Sequence, residues 1–94
     1  LGGVTYPPKA ATFEVAVFPN DLPTKPFERI ARLDVHLEKT ALETSTLKQA
    51  MPELLKQARA AGADAIVEIK EQRSTVGETR ILHVTATAIR YSDP

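Results

Sequence analysis

From Arg80 to Tyr91 apolar and polar side chains alternate almost without interruption, the longest such run in the chain. Side chains two apart on a strand share a face, so the run predicts a strand with Leu82, Val84, Ala86 and Ala88 on its core side. Such a strand needs neighbours to complete its hydrogen bonds and a layer to cover its apolar face.

Three other segments supply the neighbours. Ala11–Phe18 alternates through Phe13, Val15 and Val17, and Phe27–Leu37 alternates through Leu33, Val35 and Leu37, with Ile30 out of phase on the polar side. The second of these strands is long and is expected to bend. Ala65–Glu71 carries the β-branched residues Ile66, Val67 and Ile69. Pro19, Asn20, Asp21, Pro23 and Pro26 force a loop between the first two strands, and Gln72–Thr79, which contains Gly77, reads as the loop of a hairpin.

One segment has the other period. Thr46 followed by Gln49 matches a capping box, which predicts a helix start. Leu47, Met51, Leu54, Ala58 and Ala61 then recur at helical spacing, flanked by Ala50 and Leu55, against a polar face of Lys48, Glu53, Lys56, Gln57 and Arg59. Pro52 removes a hydrogen bond and crowds the Lys48 carbonyl, so a kink or a separate first turn is expected. Gly62 can close the helix at about Ala61. The expectation is an α+β domain of order ββαββ: four strands in a mainly antiparallel sheet, with one amphipathic helix on one face. Leu1–Ala10, with Gly2, Gly3, Pro7 and Pro8, reads as an extended tail, leaving residues 11–94 as a single domain.

Composition narrows the function. Twelve basic residues balance twelve acidic ones, and two tyrosines and three phenylalanines without a tryptophan give no stacking platform, which argues against nucleic acid. The absence of cysteine removes disulfides, thiolate metal sites and a thiol nucleophile from these residues. No apolar run approaches a membrane-spanning length. The chain opens at Leu1 without methionine, so any export signal or lipid anchor would lie upstream, and a lipid anchor is the one expected link to a membrane.

No catalytic residue and no cofactor site stand out, and the sequence reads as a non-enzyme. Asp34 and His36 share a strand face but no pocket is foreseen around them, while Thr85 and Thr87 are accounted for by strand propensity. His36 and His83 are weak metal-ligand candidates, with Asp34 or Glu68 as oxygen donors, and they meet only if their strands pair in one particular register. A stronger signal is the face turned away from the helix. With Val67 and Ile69 counted on the helix side, that face carries Phe18, Ile30, Ile66, Ile81, Ile89 and Tyr91, too apolar for open water and therefore a candidate protein interface unless sheet curvature, the proline loop or the tail covers it.

The stretch Gly62-Ala63-Asp64-Ala65-Ile66-Val67 after a helix, the hairpin ending in Thr87-Ala88-Ile89-Arg90-Tyr91, and Pro26-Phe27-Glu28-Arg29-Ile30-Ala31 after a proline-rich loop resemble the YbjQ-like group of small bacterial domains and the related RcsF-like envelope lipoproteins. The matches are short and together span most of Phe13–Tyr91. The resemblance implies a ββαββ fold, oligomerisation in the first branch and envelope tethering in the second. It implies no established chemistry, and the missing cysteines depart from the disulfides of the RcsF-like branch and from a thiolate basis for the heavy-metal label given to the YbjQ-like one. The sequence expectation is thus an envelope domain, periplasmic or tethered to the outer membrane, acting by association with a protein partner or as a homo-oligomer. The alternatives are a ligand or metal sensor using the strand histidines, and a cytoplasmic location.

Overall fold

The computed structural model describes residues 6–39 and 46–92. The elements are β1 (Ala16–Val17), β2 (Phe27–Lys39), α1 (Leu47–Ala60), β3 (Ala65–Val76) and β4 (Thr79–Tyr91). They form one four-stranded mixed sheet in the order β1-β3-β4-β2. β4 runs antiparallel to both β2 and β3, whereas β1 pairs with β3 in parallel. The ββαββ order and the α+β class are as expected.

The helix starts where its cap dictates. Thr46 is extended, its Oγ1 accepts the Gln49 N–H at 3.3 Å, and the Thr46 N–H donates to Gln49 Oε1 at 3.1 Å, so both halves of the capping box are made. The helix passes through Pro52 as one element, with no separate first turn. Proline at this point forfeits one bond, and the packing of Ala50, Leu54 and Ala58, all fully buried, compensates. At the other end the Gly62 N–H bonds Arg59 O at 3.0 Å and the Ala63 N–H bonds Ala58 O at 2.9 Å, a Schellman closure that requires the positive φ of Gly62, +78°.

The core lies between α1 and one sheet face: Leu33 and Val35 from β2, Ile66 from β3, Leu82, Val84, Ala86 and Ala88 from β4, and Val15 from the segment before β1. Only Ala16 and Val17 of the expected first strand pair, with Ala65 and Ile66, although Phe13 and Val15 do turn to the core.

Two β-bulges at one level of the sheet overturn the expected division of faces. In β2 the register slips between Arg29 and Ala31, which sends both Ile30 and Ala31 toward the helix side. In β3 it slips between Val67 and Lys70, where Glu68 takes a left-handed φ of +55°. Ile66 and Ile69 therefore both pack on the helix side, while Val67 turns to the reverse face. Ile30 and Ile66 do not belong to the reverse face, and Val67 does.

β3 also runs further than its apolar stretch. Residues 72–76 continue the strand as an exposed polar ribbon, and the hairpin turn shrinks to Gly77 and Glu78 between the paired Val76 and Thr79. Gly77, at φ +61°, occupies the first turn position, where a two-residue hairpin of type II′ requires a positive φ.

The part of the N-terminal tail that is described, from Tyr6 on, is docked. The Lys9 N–H donates to Arg59 O at 2.7 Å, Lys9 Nζ lies 3.1 Å from Asp64, and the Tyr6 ring sits beneath Arg90 with its hydroxyl on Glu28.

Candidate functional site

The reverse face is apolar at one end and polar along the rest. At the apolar end Ala65, Val67 and Ile89 are fully buried under Phe18, Phe27 and Tyr91. Ile89 has no accessible surface, so the expected exposed patch does not include it. Phe18, Tyr91 and Ile81 are half-buried, and Ile81 stands apart from the cluster, opposite Glu38 and Ser74. The proline loop contributes to the cover: Lys25 Nζ lies 4.8 Å from the Tyr91 ring centre, and the Ser92 N–H bonds Pro26 O.

Asp64 ties this end to the helix turn. Its carboxylate accepts the Tyr91 N–H at 2.9 Å and faces Lys9. Burial pushes its pKa up, but the Tyr91 N–H and Lys9 outweigh burial and hold the carboxyl below its ordinary value.

Above that cluster the paired bulges create a polar centre. Arg29 grips Glu68 with both arms, Nε to Oε1 at 3.0 Å and a terminal nitrogen to Oε2 at 2.8 Å. The Arg29 hydrogen bonds, joined by one from Thr87 and by the charges of Arg29 and Lys70, outweigh the opposing desolvation and hold the Glu68 carboxyl down to about 2. Next to it Arg32, Glu68, Lys70, Thr85, Ala86 and Thr87 line a shallow depression of about 270 Å³. A second, more open cleft of about 440 Å³ lies where the loop after β1 leaves β3, between Phe18–Leu22 and Glu68–Lys70.

Further along, the register needed by the histidines is the one adopted. His36 stands directly opposite His83, with ring centres 6.0 Å apart. His36 Nε2 is 3.0 Å from Glu38 Oε1, and His83 Nε2 contacts Asp34. The four groups form a row of carboxylate, imidazole, imidazole and carboxylate; among the described residues no three His, Asp or Glu side chains converge on a common point. The bulge centre and its depression had no counterpart in the sequence reading. The one visible hint was the phase break at Ile30.

The two outer edges of the sheet differ. On β2, Gln57 from the helix occupies the backbone of Asp34, accepting its N–H at 3.1 Å and donating to its carbonyl at 2.8 Å, as a neighbouring strand would. On β3, β1 pairs only as far as Ile66, and no described strand lies beside residues 67–76. Val76, 66% exposed, and Leu22, 48% exposed, flank that edge.

Compared with known proteins, the chain matches no protein-family model and no curated protein. No helix among the described residues is long and apolar enough to cross a membrane.

Proposed function

We propose that this chain is an association domain that joins a second copy of itself by adding strand to strand along the free edge of β3. The observation that carries this reading is the unpaired stretch of β3 beyond Ile66, set against a β2 edge where Gln57 already takes both backbone groups of Asp34. An open edge presents a row of N–H and C=O groups to any extended chain, and its own side chains decide which one fits.

Self-pairing fits. In a two-fold antiparallel arrangement centred on Gln72, Glu71 of each copy stands opposite Arg73 of the other, exchanging the pair these residues make within one chain at 3.5 Å. In the same register Val76 falls opposite Glu68, beside the cleft lined by Phe18 and Leu22, so the exposed apolar residues of the two copies meet. The envelope setting is part of the proposal and rests on the resemblance of Gly62–Val67 and Thr87–Tyr91 to the YbjQ-like and RcsF-like domains.

The test is solution mass by light scattering across protein concentration, with a charge exchange. The expected outcome is a dimer that Arg73→Glu dissociates and that Glu71→Arg combined with Arg73→Glu restores. A chain that stays monomeric at every concentration, or a double variant that fails to reassociate, refutes this mode of pairing.

A second reading has one observation in its favour. The direct opposition of His36 and His83, each beside a carboxylate, supports divalent metal capture by a rotation of the imidazoles toward each other. Titration with zinc and nickel tests it: heat that vanishes in His83→Ala supports the site, and no heat removes it.

A further inference from the structure

The depression at the bulges is bordered by two cations, Arg32 and Lys70, that make no ion pair among the described residues. Arg32 on β2 is paired in register with Thr87 of β4, and Lys70 on β3 with Thr85, so the two cations rise from opposite sides of β4 with the threonines between them. Neighbouring strands lie about 4.8 Å apart, which places the cation stems roughly two strand spacings from each other, within the reach of two long side chains toward a common centre.

The nearby carboxylates are committed elsewhere. Glu68 is held by Arg29 and Thr87, and Asp34 reaches diagonally across to His83 on β4. Arg32 makes no ion pair or hydrogen bond among the described residues, and Lys70 influences Glu68 only through space. In a chain of zero formal net charge this leaves a local excess of positive charge over a concave floor.

Backbone strain marks the same place. A non-glycine residue at a φ of +55° inside a strand is unfavourable, and such outliers concentrate where a side chain is being re-aimed for use. Here the left-handed turn at Glu68 delivers its carboxylate to Arg29, so that the one carboxylate bordering the depression is already paired.

From this we infer that the depression is a binding site for the phosphoryl group of a small molecule. Three donors of different kinds border it: the Arg32 guanidinium, the Lys70 ammonium and the Thr85 hydroxyl. They match the three terminal oxygens and the charge of a phosphoryl group better than the two coplanar oxygens of a carboxylate. The site lies on the sheet face, so it stands or falls independently of pairing at the β3 edge.

The experiment is a titration of the full chain with inorganic phosphate at constant ionic strength, followed through backbone amide shifts, with sodium acetate as a parallel arm. The expected result is a saturable response centred on Arg32, Lys70 and Thr85. Arg32→Gln or Lys70→Gln should each weaken half-saturation by roughly tenfold, the scale of one lost charge-assisted hydrogen bond. Lys56→Gln on the helix should leave it unchanged. An equal response to acetate overturns the phosphoryl assignment. A response that never saturates, or that is indifferent to both cation variants, overturns the site.

Discussion

Arg29, which flanks the bulge of β2, and Glu68, which lies within the bulge of β3, clasp each other across the face of β4, with both nitrogen–oxygen contacts at 3.0 Å or less. The pair holds two irregularities in step. β4, which runs between them without interruption, keeps its own alternation intact.

The clasp and the strain beneath it can be separated by substitution. Glu68→Gly removes a half-exposed, solvent-screened ion pair and relieves a left-handed residue, so its stability should stay close to the parent's. Glu68→Val forces a β-branched side chain into the same φ and should destabilise by about 2 kcal/mol or more. Urea unfolding of the two variants decides it: equal midpoints would mean that the bulge adapts freely.

Acid should weaken the fold through the same carboxylates. Glu68 and Asp64 both have folded-state pKa values below their unfolded ones, so their contribution is complete above the unfolded values and is lost as pH falls toward the folded ones. For Glu68 the window runs from its ordinary 4.5 down to about 2. Glu68→Gln should flatten that part of the stability profile, and an unchanged acid limb in the variant would refute the assignment. Because Glu68 is more than a third exposed, solvent screening keeps the effect small.

Gly62 is irreplaceable on two counts. Its φ is +78°, and a Cβ there would lie 2.5 Å from the Pro7 carbonyl oxygen. Gly62→Ala should therefore cost at least about 1 kcal/mol and lift the docked N-terminal segment. The Tyr6 ring resonances, set by the Arg90 guanidinium 4.1 Å away, report the second effect; if they stay put while stability drops, the segment does not depend on this close approach.

The two isoleucines on the reverse side of β4 should behave oppositely. Ile89 has 0% accessible surface, and Ile89→Glu would bury a carboxylate among apolar groups, at a cost of several kcal/mol. Ile81 is half-buried beside Glu38 and Ser74, so Ile81→Glu should change stability by under about 1 kcal/mol. Thermal unfolding of both checks the difference, and a folded Ile89→Glu protein would contradict the buried cluster.

What could be read in the residues was what local rules control. The capping box at Thr46 and Gln49, the helical stripe through Leu54, the Gly62 closure and the alternation of β4 all appear where their patterns place them. The bulges escaped because Glu68 gives no local sign of a left-handed residue, so counting by twos put Val67 and Ile69 on one face and Ile66 on the other. Residues 72–76 read as loop because they carry no apolar alternation, and their side chains are exposed, so burial places no demand on their pattern. The opposition of His36 and His83, and the contacts of Tyr6 and Lys9, depend on register and long-range docking that no short window encodes.

From Lys70 to Val76 every residue of β3 is exposed, so this half of the hairpin is held by its ladder to β4 with no buried side chain of its own. Amide protons there should exchange with solvent through small local openings, well before those of Ile66 or Leu82, which wait for the core to come apart. The molecule is thus graded in time as well as in space, rigid at the helix end and compliant at the hairpin. Any chain that adds to the compliant end would slow its exchange, leaving a kinetic footprint of assembly on amides far from the hydrophobic core.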